Sequence, residues 1–116
     1  EEKVRQTLAV RGKQIAAAKR EGVPIAFGTD SGVFEHGRNG EEFRLMVQYG
    51  GLTPREAVAS ATTVAAKLLG LETEIGTLEA GKSADLIAVD GNPLEDVTML
   101  EKVRFVMASG RVIPMD

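Results

Sequence analysis

Cysteine and tryptophan are absent from this chain, and histidine occurs once, as His36. Without cysteine there are no disulfide staples and no thiolate zinc sites, so any metal has to be held by oxygen or imidazole ligands. Aromatic residues make up 4 % of the sequence and no basic stripe interleaves with them, which argues against nucleic acid as a partner. No apolar run approaches the roughly 20 residues that a membrane-spanning helix needs. The opening Glu1-Glu2-Lys3-Val4 lacks the layout of a signal peptide. A cytoplasmic location without a membrane partner is expected.

What is present is ordinary for a folded globular protein: 43 % apolar and 27 % charged residues, with 17 acidic against 14 basic side chains and a formal charge of −3. The 116 residues suit one domain and fall well short of the roughly 250 of a (β/α)8 barrel. The chain is therefore either a small domain or a piece of something bigger. It begins without methionine and already in helical pattern, from which a segment cut from a longer polypeptide is expected.

Val4, Leu8, Ile15 and Ala18 fall within one arc of a helical wheel, and Arg11 lies in the same arc, so an amphipathic helix is expected over about Lys3 to Glu21. Arg11 has its stem along the apolar surface or reaches a carboxylate on a neighbouring element. After Gly22, the run Val23-Pro24-Ile25-Ala26-Phe27 has the length and composition of a buried strand. Glu42 to Tyr49 reads as a helix, and Thr53-Pro54-Arg55-Glu56 is a capping box with proline at the first helical position. A further short helix starts at Thr62 or Thr63 and ends at Gly70. From Ile75 the pattern turns to short β-rich runs: Ile75 to Leu78, Ala84 to Val89, and a hairpin of Val103 to Ala108 with Arg111 to Ile113 through Ser109-Gly110. The expected division is residues 1–72, an α/β piece, and residues 73–116, a small β piece.

Gly28-Thr29-Asp30-Ser31-Gly32 places one carboxylate where an apolar run meets a glycine-rich loop, the junction at which α/β enzymes keep their chemistry. Taken alone, an aspartate between Thr and Ser-Gly is more often a turn former or a helix cap. His36, in the same loop with Phe34 and Arg38 close in sequence, is the candidate substrate contact, although a lone loop histidine is ordinarily just solvated. Asp85 is expected to fix a turn or strand backbone, and Gly76 and Gly81 to serve backbone geometry.

Together with His36-Gly37, Thr53 to Ala57 and Ala61 to Ala66, and above all with Gly76-Thr77-Leu78-Glu79-Ala80-Gly81-Lys82-Ser83-Ala84-Asp85-Leu86, this pentapeptide resembles the C-terminal end of the amidohydrolase superfamily. The similarity covers nearly the whole chain and is greatest to the imidazolonepropionase-like and Xaa-Pro-dipeptidase-like branch. It implies a metal-dependent hydrolase cleaving an amide, cyclic amide or dipeptide bond. The implied architecture is a (β/α)8 barrel with a small β-sandwich made from both chain ends. On this resemblance Lys3 to Glu21 is the helix before the last barrel strand, Ile25 to Gly28 is that eighth strand, and Asp30 is a metal ligand and general acid/base at its mouth. The implied cofactor is a divalent metal, zinc first. The family's remaining metal ligands, four of them histidines, have no counterpart here, so the chain alone is expected to be inactive and to need the N-terminal segment of the same enzyme. An unpaired eighth strand also invites association, and a homo-oligomer, or a packing that buries Val4, Leu8, Ile15, Ile25 and Phe27, is expected. The alternative from another class is a non-catalytic assembly module. A small-molecule-binding β segment is the third reading, and no cluster of polar side chains supports it.

Overall fold

The computed structural model describes residues 2–32 and 35–115. Four helices come first: α1 (Glu2–Arg20), α2 (Glu41–Gln48), α3 (Pro54–Ala61) and α4 (Thr63–Leu69). An extended segment, residues 23–32, and a loop at residues 35–40 lie between α1 and α2. Three short strands follow, β1 (Leu86–Val89), β2 (Val103–Ala108) and β3 (Arg111–Ile113), with a 3-10 helix, Val97–Glu101, between β1 and β2. The strands form one antiparallel sheet in the order β1-β2-β3. Leu86 stands opposite Met107 and Val106 opposite Ile113, and a register shift falls between Ala88 and Val89. The hairpin turn between β2 and β3 has φ of 50° at Ser109 and 75° at Gly110, the pair of positive angles that matches the twist of the flanking strands.

The core is small and mixes larger apolar side chains with alanine and serine. Met46 of α2, Leu52, Ala57 and Ser60 of α3, Ala66 of α4 and Val97 of the 3-10 helix are buried. α2 lies at its centre, against α3 on one side and the 3-10 helix on the other. Arg44 of α2 adds an ion pair to Glu101 at 3.1 Å. α1 docks on the end of α2 through Gly12, where a Cβ would come within 2.2 Å of the Tyr49 carbonyl oxygen. That approach is what brings the two backbones together, so the buried part of α1 centres on Gly12 and the half-buried Ile15. Of the residues expected to be covered, Leu8, Ile15, Ile25 and Phe27 are half-buried, whereas Val4 remains 63 % exposed because it lies two turns before the contact.

The C-terminal end of α1 is tied to the start of α3. Thr53 and Glu56 form the expected capping box: the Glu56 N–H donates to Thr53 Oγ1 at 3.2 Å, and the Thr53 N–H donates to Glu56 Oε2 at 2.7 Å. Lys19 Nζ donates to the same Oε2 at 2.6 Å and to the Gly51 carbonyl at 3.0 Å. Gly70, at φ 69°, ends α4 as its position past the last helical residue requires.

Two expected strands are absent among the described residues. Val23 to Phe27, with Ile25 to Gly28 as the expected eighth strand, is extended but belongs to no sheet. A strand is defined by its ladder, and the three strands among the described residues pair with one another. Ile75 to Thr77 are bends and Leu78 belongs to no element, because Gly76 at φ 94° breaks the extended conformation.

Gly12→Ala is expected to destabilise the chain by about 1–3 kcal/mol, the usual cost of forcing a methyl group into a closed contact; urea unfolding measures it, and an unchanged midpoint would contradict the packing. A second prediction concerns acid. Hydrogen bonds from Lys19, then from the Thr53 N–H and hydroxyl, hold the Glu56 carboxyl down to about 2, against its ordinary 4.5. The folded pKa is depressed, so this stabilisation is complete above pH 4.5 and is lost as pH falls towards 2. Glu56→Gln should show a constant deficit in urea midpoint at neutral pH that shrinks across that window, and a deficit unchanged at pH 2 would refute the assignment.

Candidate active site

The extended segment that follows α1 is placed by two interactions. The helix breaks at Thr62, with φ −123° and ψ −92°, so the last carbonyls of α3 need partners from elsewhere. Val58 O accepts from Thr62 Oγ1 at 2.9 Å, Ala59 O from the Thr62 N–H at 3.2 Å, and Ser60 O from the Phe27 N–H at 2.9 Å. The Phe27 ring stacks on Phe43 of α2 with centroids 4.4 Å apart and 26° between planes. Three residues beyond this anchor stands Asp30, exposed to solvent.

Asp30 has φ 48°, in the left-handed region. For a residue with a side chain that conformation costs roughly 1–2 kcal/mol, and aspartate and asparagine tolerate it best. Around it lies a polar cluster: Asn39 Nδ2 donates to Thr29 Oγ1 and to Ser31 Oγ, both at 2.9 Å, and the two hydroxyls are 3.4 Å apart. The structure thus brings together Thr29, Ser31 and Asn39 about Asp30. His36 lies on the exposed turn at residues 36–37 and shares no hydrogen bond with that cluster among the described residues. Phe34 lies outside the described residues. Reading the sequence missed Asn39, because an Asn-Gly pair before a helix looks like ordinary turn chemistry.

The charged residues nearby stabilise the frame. Arg38 forms a two-armed pair with Glu41, at 2.7 and 3.0 Å, and its hydrogen bonds hold the Glu41 carboxyl below the usual carboxylate range. Burial raises Glu42 in the first turn of α2, and the charge of Arg11 on α1 opposes that rise. Arg11 itself is exposed, and it influences Glu42 through its charge.

The long motif from Gly76 to Leu86 serves the backbone. Lys82 Nζ donates to Glu72 O and to Thr77 Oγ1, both at 2.7 Å, and pairs with Glu79 at 3.2 Å. A Cβ on Gly76 would come within 2.7 Å of the Ala66 methyl. Asp85 Oδ1 accepts the Ser109 N–H at 2.6 Å, so its carboxylate closes the β2–β3 turn, and that hydrogen bond lowers its pKa.

Asp30 is a fitting oxygen donor for a hard or borderline cation, but among the described residues no three His, Asp or Glu side chains come together to hold one. A catalytic zinc ordinarily takes three protein ligands. The described residues therefore do not by themselves fit a complete metal centre.

With the geometry in place, the chain can be set beside known proteins. The sequence model of the amidohydrolase family matches residues 5–113, and the chain belongs to that family. The 5-methylthioadenosine/S-adenosylhomocysteine deaminase of Symbiobacterium thermophilum is 43 % identical over 86 residues, which are 66 % of this chain and 20 % of that protein. An imidazolonepropionase of Pseudomonas savastanoi pv. phaseolicola is 42 % identical over 79 residues, 64 % of this chain and 19 % of that protein. The crystal structure of a Xaa-Pro dipeptidase with methionine bound in its active site superposes with a TM-score of 0.83 at 47 % identity, over 88 % of this chain and 25 % of that one. The resemblance to the imidazolonepropionase-like and Xaa-Pro-dipeptidase-like branch is thus correct. The chain spans about a fifth of the length of these curated relatives.

Proposed function

We propose that this chain is the C-terminal part of a metal-dependent amidohydrolase that cleaves a C–N bond in a small molecule: a dipeptide, an amide or a cyclic amide. The observation that carries the reading is Asp30. It is held in a left-handed backbone at the end of an anchored extended segment, in a chain matched by the amidohydrolase model from residue 5 to residue 113. Strained backbone at a polar loop is where active sites keep their working groups. In this reading residues 1–72 belong to a (β/α)8 barrel with Ile25 to Gly28 as its eighth strand, and residues 73–116 to a small β-sandwich.

Asp30 is the general acid/base: its carboxylate takes a proton from the attacking water and returns it to the leaving nitrogen, a service worth about 10²–10⁴-fold in rate. His36, on its exposed turn, contacts the substrate. A divalent metal, zinc first, belongs to the complete protein, with donors from beyond this chain. The chain by itself is inactive.

The test uses the complete protein, assayed for hydrolysis of an Xaa-Pro dipeptide, an N-acyl amino acid and a cyclic amide. Asp30→Asn preserves the tolerance for left-handed backbone, so the thermal midpoint should stay in place while kcat/KM falls about 10²–10⁴-fold on whichever substrate is cleaved. Full activity in that variant would contradict the reading.

A further inference from the structure

Asn39 is half-buried where the loop meets α2, yet it does not cap that helix: the cap position is Gly40, and no side chain bonds to it. Both protons of its amide are turned back along the chain, to Thr29 Oγ1 ten residues earlier and to Ser31 Oγ eight residues earlier, each at 2.9 Å. Those two residues flank Asp30, the candidate-site residue with a positive φ and a side chain. We propose that Asn39 is a positioning residue for Asp30, a clamp that grips both neighbours and holds the aspartate in its left-handed backbone.

The physical argument is one of comparable magnitudes. Two hydrogen bonds in a half-buried place stabilise the loop by an amount of the same order as the strain of one left-handed aspartate. A side chain with a single donor cannot grip both hydroxyls at once, whereas the amide supplies two N–H groups from one nitrogen. Removing the clamp frees residues 29–31 to relax, and an acid/base group displaced by about an ångström loses its alignment with the reacting atoms. Binding made elsewhere in the site is untouched, so the loss falls on kcat and spares KM.

This proposal rests on the acid/base reading of Asp30, and its test separates the two. In the complete protein, hydrolysis of an Xaa-Pro dipeptide is followed for Asn39→Ala, Asp30→Asn and the double variant. Asn39→Ala should lower kcat by about 10–100-fold with KM changed less than about threefold, and should cause no further loss in the Asp30→Asn background. Thr29→Val with Ser31→Ala, which removes both arms from the other side, should reproduce the effect, and it carries the same cycle if Asn39→Ala fails to fold. An unchanged kcat in Asn39→Ala, or the same factor lost with and without the Asp30 carboxylate, would overturn the clamp. Full activity in Asp30→Asn would instead refute the role of Asp30, and the clamp with it.

Discussion

The hydrogen bond from the Phe27 N–H to the Ser60 carbonyl, 2.9 Å long, anchors the segment that carries Asp30. It exists because α3 stops at Ala61 and the chain kinks at Thr62, which leaves a carbonyl at the helix end in need of a donor. The Phe27–Phe43 stack adds a second point of attachment, worth about 0.5–1.5 kcal/mol beyond its burial. Together they lock a segment that has no sheet of its own onto α2 and α3. Asp30 follows three residues later, with too little chain between to wander far.

The helical frame that receives this segment is held by close contacts among small residues rather than by bulk. Ala57, Ser60 and Ala66 are almost fully buried, and Ser60 satisfies its own hydroxyl by donating to the Ala57 carbonyl at 2.6 Å. Such a core leaves little room for error, since interiors packed to crystal density feel the addition of a single methylene. At the other end of the chain, Lys82 and Asp85 perform a comparable task with charge, tying turn to turn and strand to hairpin. The motif from Gly76 to Leu86 is thus a structural staple, while the candidate chemistry sits on a short loop that uses one aspartate.

Local signals were legible in the sequence and non-local ones were not. The Thr53 capping box, the Gly70 helix end and the Ser109-Gly110 turn each depend on residues within a few positions of one another, and all three are as expected. A strand depends on a partner that composition does not reveal, so Val23 to Phe27 has the apolar content of a strand and none of its ladder. Val4 lies in the same arc as Ile15, but a helical wheel carries no information on how far along the helix its contact extends. The glycine-flanked loop from Gly28 to Gly32 was visible from its composition. Its support was not, because Asn39 meets Thr29 and Ser31 only once the loop has closed.

In the proposed reading Asp30 is one corner of a composite site, since among the described residues no three His, Asp or Glu side chains come together to hold a metal. The most direct measurement is zinc content together with dipeptide hydrolysis, on this chain by itself and after mixing with a separately produced N-terminal segment that carries the missing histidines. Bound zinc and hydrolysis that arise only in the mixture are the result this account predicts. Hydrolysis by this chain alone, or an assembled mixture with neither metal nor activity, would contradict it.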